Sequence, residues 1–240
     1  MNDVDTRPGI LYLIPVPISD PNNIGHIPEA ALSKTRLLRY FIAENAKSAR
    51  KYLKILGIKQ SEITVIEIDK HALKIDFNTY FEPVFQGNDV GLLSEAGMPA
   101  IADPGAEFVA EAHKRQIKVV PLTGPSSLLL ALSASGMSGQ HFSFNGYLPK
   151  EKEKRILSIK ALEKSSSQFK IAQLFIETPY RNVMLFNDFL NVLLPETRLC
   201  VAIDITGPDE FISTKQVKNW KKTPLPDLKD KPSVFIFQAG

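Results

Sequence analysis

The segment Leu93-Ser-Glu-Ala-Gly-Met-Pro-Ala-Ile-Ala-Asp-Pro-Gly105 carries the clearest chemical potential in this 240-residue chain. An apolar run there opens into two small-residue turns, Ala96-Gly97 and Asp103-Pro104-Gly105. Small side chains let a ligand approach main-chain N–H and C=O groups closely, which suits an adenosyl or amino-acid moiety read by peptide groups. The same residues also fit an ordinary strand-to-helix connection, with Asp103 as helix cap and Pro104 in the first turn. A second segment, Pro121-Leu-Thr-Gly-Pro-Ser-Ser127, again ends a strand and opens a helix. Its hydroxyls and N–H groups are expected on the same side of the sheet as the first loop, so that the two clasp one ligand, although Ser126 fits equally well as a plain helix-start residue. Neither loop has the Gly-Lys-Ser/Thr or Gly-x-Gly-x-x-Gly spacing of phosphate-binding turns, which disfavours phosphate cradling.

Cationic groups supply a second kind of chemistry. Lys47, Arg50, Lys51 and Lys54 share one face of an expected helix, and Lys150, Lys152, Lys154 and Arg155 form a run interrupted by Glu151 and Glu153. Either set would steer phosphates, or serve as a solvated face. Arg181, in Phe175-Ile-Glu-Thr-Pro-Tyr-Arg181, fits a clamp on a phosphate or carboxylate, or an ion pair between elements. The histidines at 26, 71, 113 and 141 lack ligand spacing, and the single Cys200 can build neither a disulfide nor a Cys-based zinc cage, so a metal-free fold in a reducing compartment is expected. Phe142, Phe144 and Tyr147 suit stacking on a base or core packing.

Those residues need a scaffold, and the chain has enough apolar content to build one. With 44% hydrophobic and 23% charged residues, 13 Gly and 17 Pro, it belongs with soluble globular proteins rather than collagen-like or disordered chains. A net charge of +3 is too slight to announce nucleic-acid binding by itself. The opening residues carry Asp3 and Asp5 without a cationic leader, and no apolar run reaches the length of about 18 residues that a membrane span needs, so a cytoplasmic protein is expected. Apolar runs at 9–17, 63–68, 89–94 and 118–121 read as strands. Between them, 29–45 reads as a helix or a helix then a strand, and 48–56, 80–86 and 106–115 read as helices, with another at 126–135. This alternation predicts an α/β domain with a mainly parallel sheet, whose ligands sit beyond the carboxyl ends of the strands. Helices near 155–163 and 181–193 and strands at 171–177, 198–205 and 233–238 predict a second α/β domain, with domains at 1–122 and 123–240.

Five ordered motifs resemble the tetrapyrrole methylase superfamily, and within it the ribosomal RNA small subunit methyltransferase I branch. They are Leu11-Tyr-Leu-Ile-Pro-Val-Pro17, the 94–105 segment, Val119-Val-Pro-Leu-Thr-Gly-Pro-Ser126, Ala131-Leu-Ser-Ala-Ser-Gly136 and Phe144-Asn-Gly-Tyr-Leu-Pro149. The resemblance implies two α/β domains, a homodimer, and S-adenosylmethionine in the cleft between the domains; no membrane or metal partner is expected from the residues. Ala96, Gly97, Pro99, Gly124 and Ser126 match positions that line the cofactor cleft in the superfamily, and Pro17, Ser94, Met98, Ile101 and Leu148 are the further expected cofactor contacts. The resemblance implies 2′-O-methylation of a ribose in small-subunit ribosomal RNA, the alternatives being a tetrapyrrole or other small-molecule acceptor, or a homologue that binds cofactor without catalysis.

A methyl donor of this kind brings its own electrophile, so a base for the acceptor hydroxyl is the main catalytic requirement. Glu95, Glu44 and Glu177 are the candidates, and Arg181, Lys47, Arg50, Lys51 and Lys54 the expected substrate contacts. The chain departs from the branch pattern at several points. Glu95 stands where the branch has Asp, Ala102 where it has Ser or Asn, and Thr123 where it has Pro. The first loop reads Val16-Pro17-Ile18-Ser19-Asp20 against Thr-Pro-Ile-Gly-Asn, and Ala43-Glu44-Asn45-Ala46-Lys47 stands against Ala-Glu-Asp-Thr-Arg. The sequence stops soon after the last strand, without the C-terminal extension often found in the branch.

Overall fold

The computed structural model describes residues 7–69 and 75–240; Asp3, Asp5 and His71 lie outside them. The chain divides into two compact units, residues 1–126 and 127–240.

The first unit is an alternation of short buried strands and helices. In chain order it runs β1 (Leu11–Ile14), α1 (Glu29–Leu37), β2 (Tyr40–Ala43), α2 (Ala46–Ile55), β3 (Thr64–Glu67), α3 (Phe77–Phe85), β4 (Val90–Leu93), α4 (Gly105–Lys114) and β5 (Val119–Pro121). All five strands are parallel in the order β3-β2-β4-β1-β5. Of the two readings of 29–45, helix followed by strand is the one adopted. Side-chain alternation sorts the core into two layers. Tyr12, Ile14, Phe41 and Leu93 pack with α1 and α2 residues such as Leu32 and Leu53. Leu11, Ile42, Val90 and Leu92 pack on the other side with Phe81 of α3 and Phe108 of α4. Every strand therefore points its carboxyl end at the same edge of the sheet. At that edge β1 and β4 are neighbours whose outgoing helices leave in opposite directions on opposite faces, the topological arrangement that opens a ligand crevice in such sheets.

The second unit contains α5 (Ser127–Ser135), β6 (Phe142–Phe144), α6 (Lys152–Phe169), β7 (Ala172–Ile176), α7 (Asn182–Val192), β8 (Arg198–Ile203), β9 (Phe211–Gln216), α8 (Val217–Trp220) and β10 (Ser233–Gln238). Its sheet has the order β6-β7-β10-β8-β9, with only β6 and β7 parallel. The last strand is central and buried along its whole length. Val234 and Ile236 face α5, while Phe235 and Phe237 join Phe175, Phe189 and Trp220 under the other helices. Three elements here differ from the sequence expectation. Helix α6 continues to Phe169 rather than ending near 163, because buried Ser166 finds partners, donating to the Ile171 carbonyl at 2.6 Å and accepting from the Ala239 amide at 2.9 Å. The edge strand β9 and the short α8 were not anticipated, since Phe-Ile-Ser-Thr-Lys-Gln is half-buried and polar and follows a Gly-Pro turn. Among the described residues no helix is long and apolar enough to cross a membrane.

A buried ion pair ties α6 to α7. Arg155 is 2% exposed, and its Nε donates to Asp188 Oδ2 at 2.7 Å, while Nη1 donates to the carbonyls of Pro149 and Lys150 at 3.0 and 2.6 Å. Arg155 is thus committed to the interior, which corrects its placement among phosphate-steering cations. Removing one member of such a pair leaves an uncompensated buried charge, so Arg155→Ala is expected to cost about 3–5 kcal/mol. The only tryptophan, buried Trp220, lies in this unit, so its fluorescence in a urea titration should report a lower midpoint for the variant; an unshifted transition would count against the pair.

Candidate functional site

Three strand-end loops interlock at the carboxyl edge of the first sheet. Just beyond β1, the Val16 amide donates to the Gly97 carbonyl at 2.9 Å, and the Gly97 amide donates back to the Val16 carbonyl at 3.2 Å. This pair of bonds joins the β1 loop to the β4 loop. Gly97 has a φ of +70°, a backbone shape that glycine adopts without penalty. The β5 loop closes from the other side. A Cβ on Gly124 would lie 2.0 Å from Cβ of Pro15, so only glycine permits the approach, and the same position is 3.5 Å from the Met98 sulfur.

Around this junction the expected cofactor residues are brought together in one unit, apart from Leu148. Pro17, Gly97 and Pro99 are buried, Ser94, Met98 and Ser126 are half-buried, and Ala96 is exposed. Ile101 is 44% exposed. The Ser94 hydroxyl donates to the Ala96 carbonyl at 3.3 Å, steadying the turn from within. Leu148 is buried in the second unit, on the loop after β6 whose carbonyls Arg155 holds.

Helix α2 is anchored to the same edge. Asn45 caps it, its Oδ1 accepting from the Lys47 and Ser48 amides at 3.0 and 3.1 Å. Where the branch pattern has an acid, the amide therefore acts locally, satisfying the first N–H groups of the helix. Glu67, at the end of β3, accepts from the Ala46 amide at 2.7 Å. Tyr52 lies buried on the inner face and donates its hydroxyl to the Pro15 carbonyl at 3.1 Å; burial pushes its phenol pKa up, so it stays a donor. On the outer face Lys47, Lys51 and Lys54 are exposed and Arg50 is half-buried.

The three candidate bases stand in different surroundings. Glu95 is exposed on the β4 loop and accepts from the Ser48 hydroxyl at 3.3 Å. Glu44 is half-buried at the end of β2, where its amide meets the Leu93 carbonyl at 3.4 Å. Glu177 belongs to the second unit, its side chain fully enclosed. One of its oxygens accepts from the Thr178 amide and hydroxyl at 2.8 and 3.2 Å. The other is 3.1 Å from Arg181 Nη2, close enough for an ion pair although not aligned as a hydrogen bond. Arg181 is therefore partnered by Glu177, the inter-element ion pair weighed for it from sequence, and its side chain is 13% exposed.

Sequence reasoning undervalued several groups. Asp103 Oδ1 accepts from the Ala100 and Gly105 amides at 2.8 and 2.7 Å, bracing the loop from inside rather than only starting α4. Burial pushes the Asp103 carboxyl above its ordinary range, with the two amides opposing and Glu44 reinforcing the rise. Asn182, wholly buried, donates to the Lys231 carbonyl at 2.7 Å and the Ser233 hydroxyl at 3.2 Å. In sequence the Asp103-Pro104-Gly105 turn marked Asp103 only as a helix cap, and no local signal marked Asn182. Phe144 packs in the core, whereas Phe142 and Tyr147 are exposed. Cys200 is buried, and burial raises its thiol pKa. Among the described residues no cluster of three or more His, Cys, Asp or Glu could hold a metal ion.

Comparison with known proteins agrees with this architecture. A family model described as tetrapyrrole (corrin/porphyrin) methylases matches residues 11–174, more than half of the chain. A Vibrio cholerae protein named ribosomal RNA small subunit methyltransferase I is 30% identical over 218 residues, covering 88% of this chain and 71% of that protein. A protein of the same name from Halalkalibacterium halodurans is 31% identical over 217 residues, covering 89% and 71%. The crystal structure of uroporphyrin-III-C-methyltransferase from Thermus thermophilus shares the fold, with a TM-score of 0.55 at 16% identity, covering 96% of this chain and 94% of that one. Interlocked loops on a parallel sheet, a second mixed sheet and this family match lead to one assignment: the chain belongs to the tetrapyrrole (corrin/porphyrin) methylases, a family of methyl-transferring enzymes.

Proposed function

We propose that the protein is an S-adenosylmethionine-dependent methyltransferase that methylates a ribose 2′-hydroxyl of small-subunit ribosomal RNA. The observation that carries this reading is the convergence of the β1, β4 and β5 loops, held by the Val16–Gly97 bonds and the contact of Gly124 with Pro15. The residues fit the donor: exposed Ala96 and half-buried Ser126 stand on the same interlocked loops as apolar Met98 and Ile101, a mixture suited to a ligand with one polar and one apolar part. When bound, the sulfonium donor supplies an activated methyl group and its own leaving group.

The chain's part is then to align the acceptor and take its proton. Glu95 and Glu44 are the proposed bases, because both stand at the sheet edge that carries the loops, whereas the Glu177 carboxylate is enclosed and committed to Thr178 and Arg181. In this reading Arg181 contributes to the substrate side through its exposed fraction, with Glu177 orienting it. The names of the relatives support ribosomal RNA as acceptor. The outer face of α2 supports it too, since Lys47, Arg50, Lys51 and Lys54 have no ion-pair partner among the described residues and are available to phosphates. The same reading makes the protein a homodimer, as the resemblance of its motifs implies, working in the cytoplasm.

Incubation with tritiated S-adenosylmethionine and either purified 30S subunits or a uroporphyrinogen tests the acceptor. Label in ribosomal RNA is expected; label in the tetrapyrrole alone would reassign the substrate, and label in neither would refute the methyltransferase reading. In the same assay Glu95→Gln and Glu44→Gln separate the bases: the residue that takes the proton should lose about 10²–10⁴ in kcat, and full activity in both would remove the pair from that role. Reversing Lys47 and Lys51 to Glu should weaken RNA binding and lower the slope of log affinity against log salt by about 0.7–0.9 for each phosphate that the protein no longer neutralises. An unchanged slope would show that α2 does not touch the RNA backbone.

A further inference from the structure

The β4 loop turns back on itself at two alanines. Ala100 and Ala102 have φ of +66° and +60°, in the left-handed region that side chains with a Cβ rarely occupy. Such backbone shapes persist only where surrounding contacts enforce them. Here the contact is Asp103, whose Oδ1 accepts from the amide of Ala100 on one side and of Gly105 on the other. A residue serving only to start α4 would need the Gly105 bond alone; the bond back to Ala100 closes the loop on itself. Asp103 Oδ2 is buried with no hydrogen-bond partner among the described residues, a desolvated acceptor atom that stability alone does not call for. The product of this lock is a fixed presentation of residues 100–102, with Ile101 and Ala102 turned outward.

We infer that Asp103 is a positioning residue for the methyl donor, locking the 97–103 loop, with Ala100 and Ala102 held at left-handed φ, in the shape to which the donor binds. The inference rests on the reading of this loop as the donor site. It explains why the loop tolerates two alanines where glycine would be at ease: a preformed clamp loses less freedom on binding than a flexible one. Asparagine should substitute for the aspartate, because its Oδ1 can accept both amides, whereas alanine should not.

The test compares binding of S-adenosylhomocysteine by calorimetry, together with thermal melting, for the unmutated protein, Asp103→Asn, Asp103→Ala, and Asp103→Ala combined with Ala100→Gly and Ala102→Gly. Asp103→Ala should weaken binding by about tenfold or more, the equivalent of one or two hydrogen bonds. Asp103→Asn should stay within about threefold, and the glycines should restore most of the affinity that alanine removes, because they adopt the left-handed shape without enforcement. Undiminished binding in Asp103→Ala, or a folded glycine-bearing variant with no recovery, would overturn the positioning role while leaving the donor site intact. Failure of the unmutated protein to bind would refute the donor-site reading, and the positioning role with it. Amide exchange at Ala100 in the unmutated protein needs no variant: slow exchange without ligand is expected, and rapid exchange would show that no lock exists.

Discussion

Two parallel neighbours, β1 and β4, send their chains away in opposite directions on opposite faces of the sheet. Without a link beyond the last ladder bond, their loops would be free to separate. The reciprocal bonds between Val16 and Gly97 supply that link, extending the pairing one step past the strands in an antiparallel sense. Other features of the edge depend on it. Gly97 takes a positive φ so that its amide and carbonyl both meet Val16, and Gly124 lacks a side chain so that the third loop can lie against Pro15. Tyr52 reaches the Pro15 carbonyl from α2, connecting the cationic helix to the same junction.

The second unit follows different physics. Its sheet is mixed, its central strand is the last in sequence, and its polar anchors are buried. Arg155 carries charge into the interior and commits its donors to Asp188 and two loop carbonyls; the enclosed carboxylate of Glu177 is engaged by Thr178 and Arg181. Buried ion pairs of this kind are weak sources of net stability, but breaking them is costly, and so they fix conformation. The α2 stripe and the lysines that open α6 are among the charged groups that remain exposed.

Legibility in the sequence followed burial. Strands with both faces covered, such as β4 and β10, are continuous apolar runs and could be placed to within a residue or so, as could the small-residue loops after β4 and β5. The edge strand β9 is half-buried over most of its length and turns polar after Ile212 without alternation, and its pairing with β8 is set by a tertiary hairpin that local composition does not announce. Charge was legible but its destination was not. Arg155 sits in a run of lysines and glutamates yet is the member turned inward, because Asp188 lies 33 positions away in sequence and 2.7 Å away in space. Asn45 looked like a lost acid and is a helix cap; Asp103 looked like a cap and is also a brace.

The central claim is that one methyl donor is gripped by backbone at the interlocked ends of β1, β4 and β5. Hydrogen–deuterium exchange with and without S-adenosylhomocysteine tests it directly. The claim predicts slowed exchange at the amides of residues 95–102 and 123–127, with the outer ends of α3 and α4 unaffected. Protection confined to other segments, or none at saturating ligand, would contradict it.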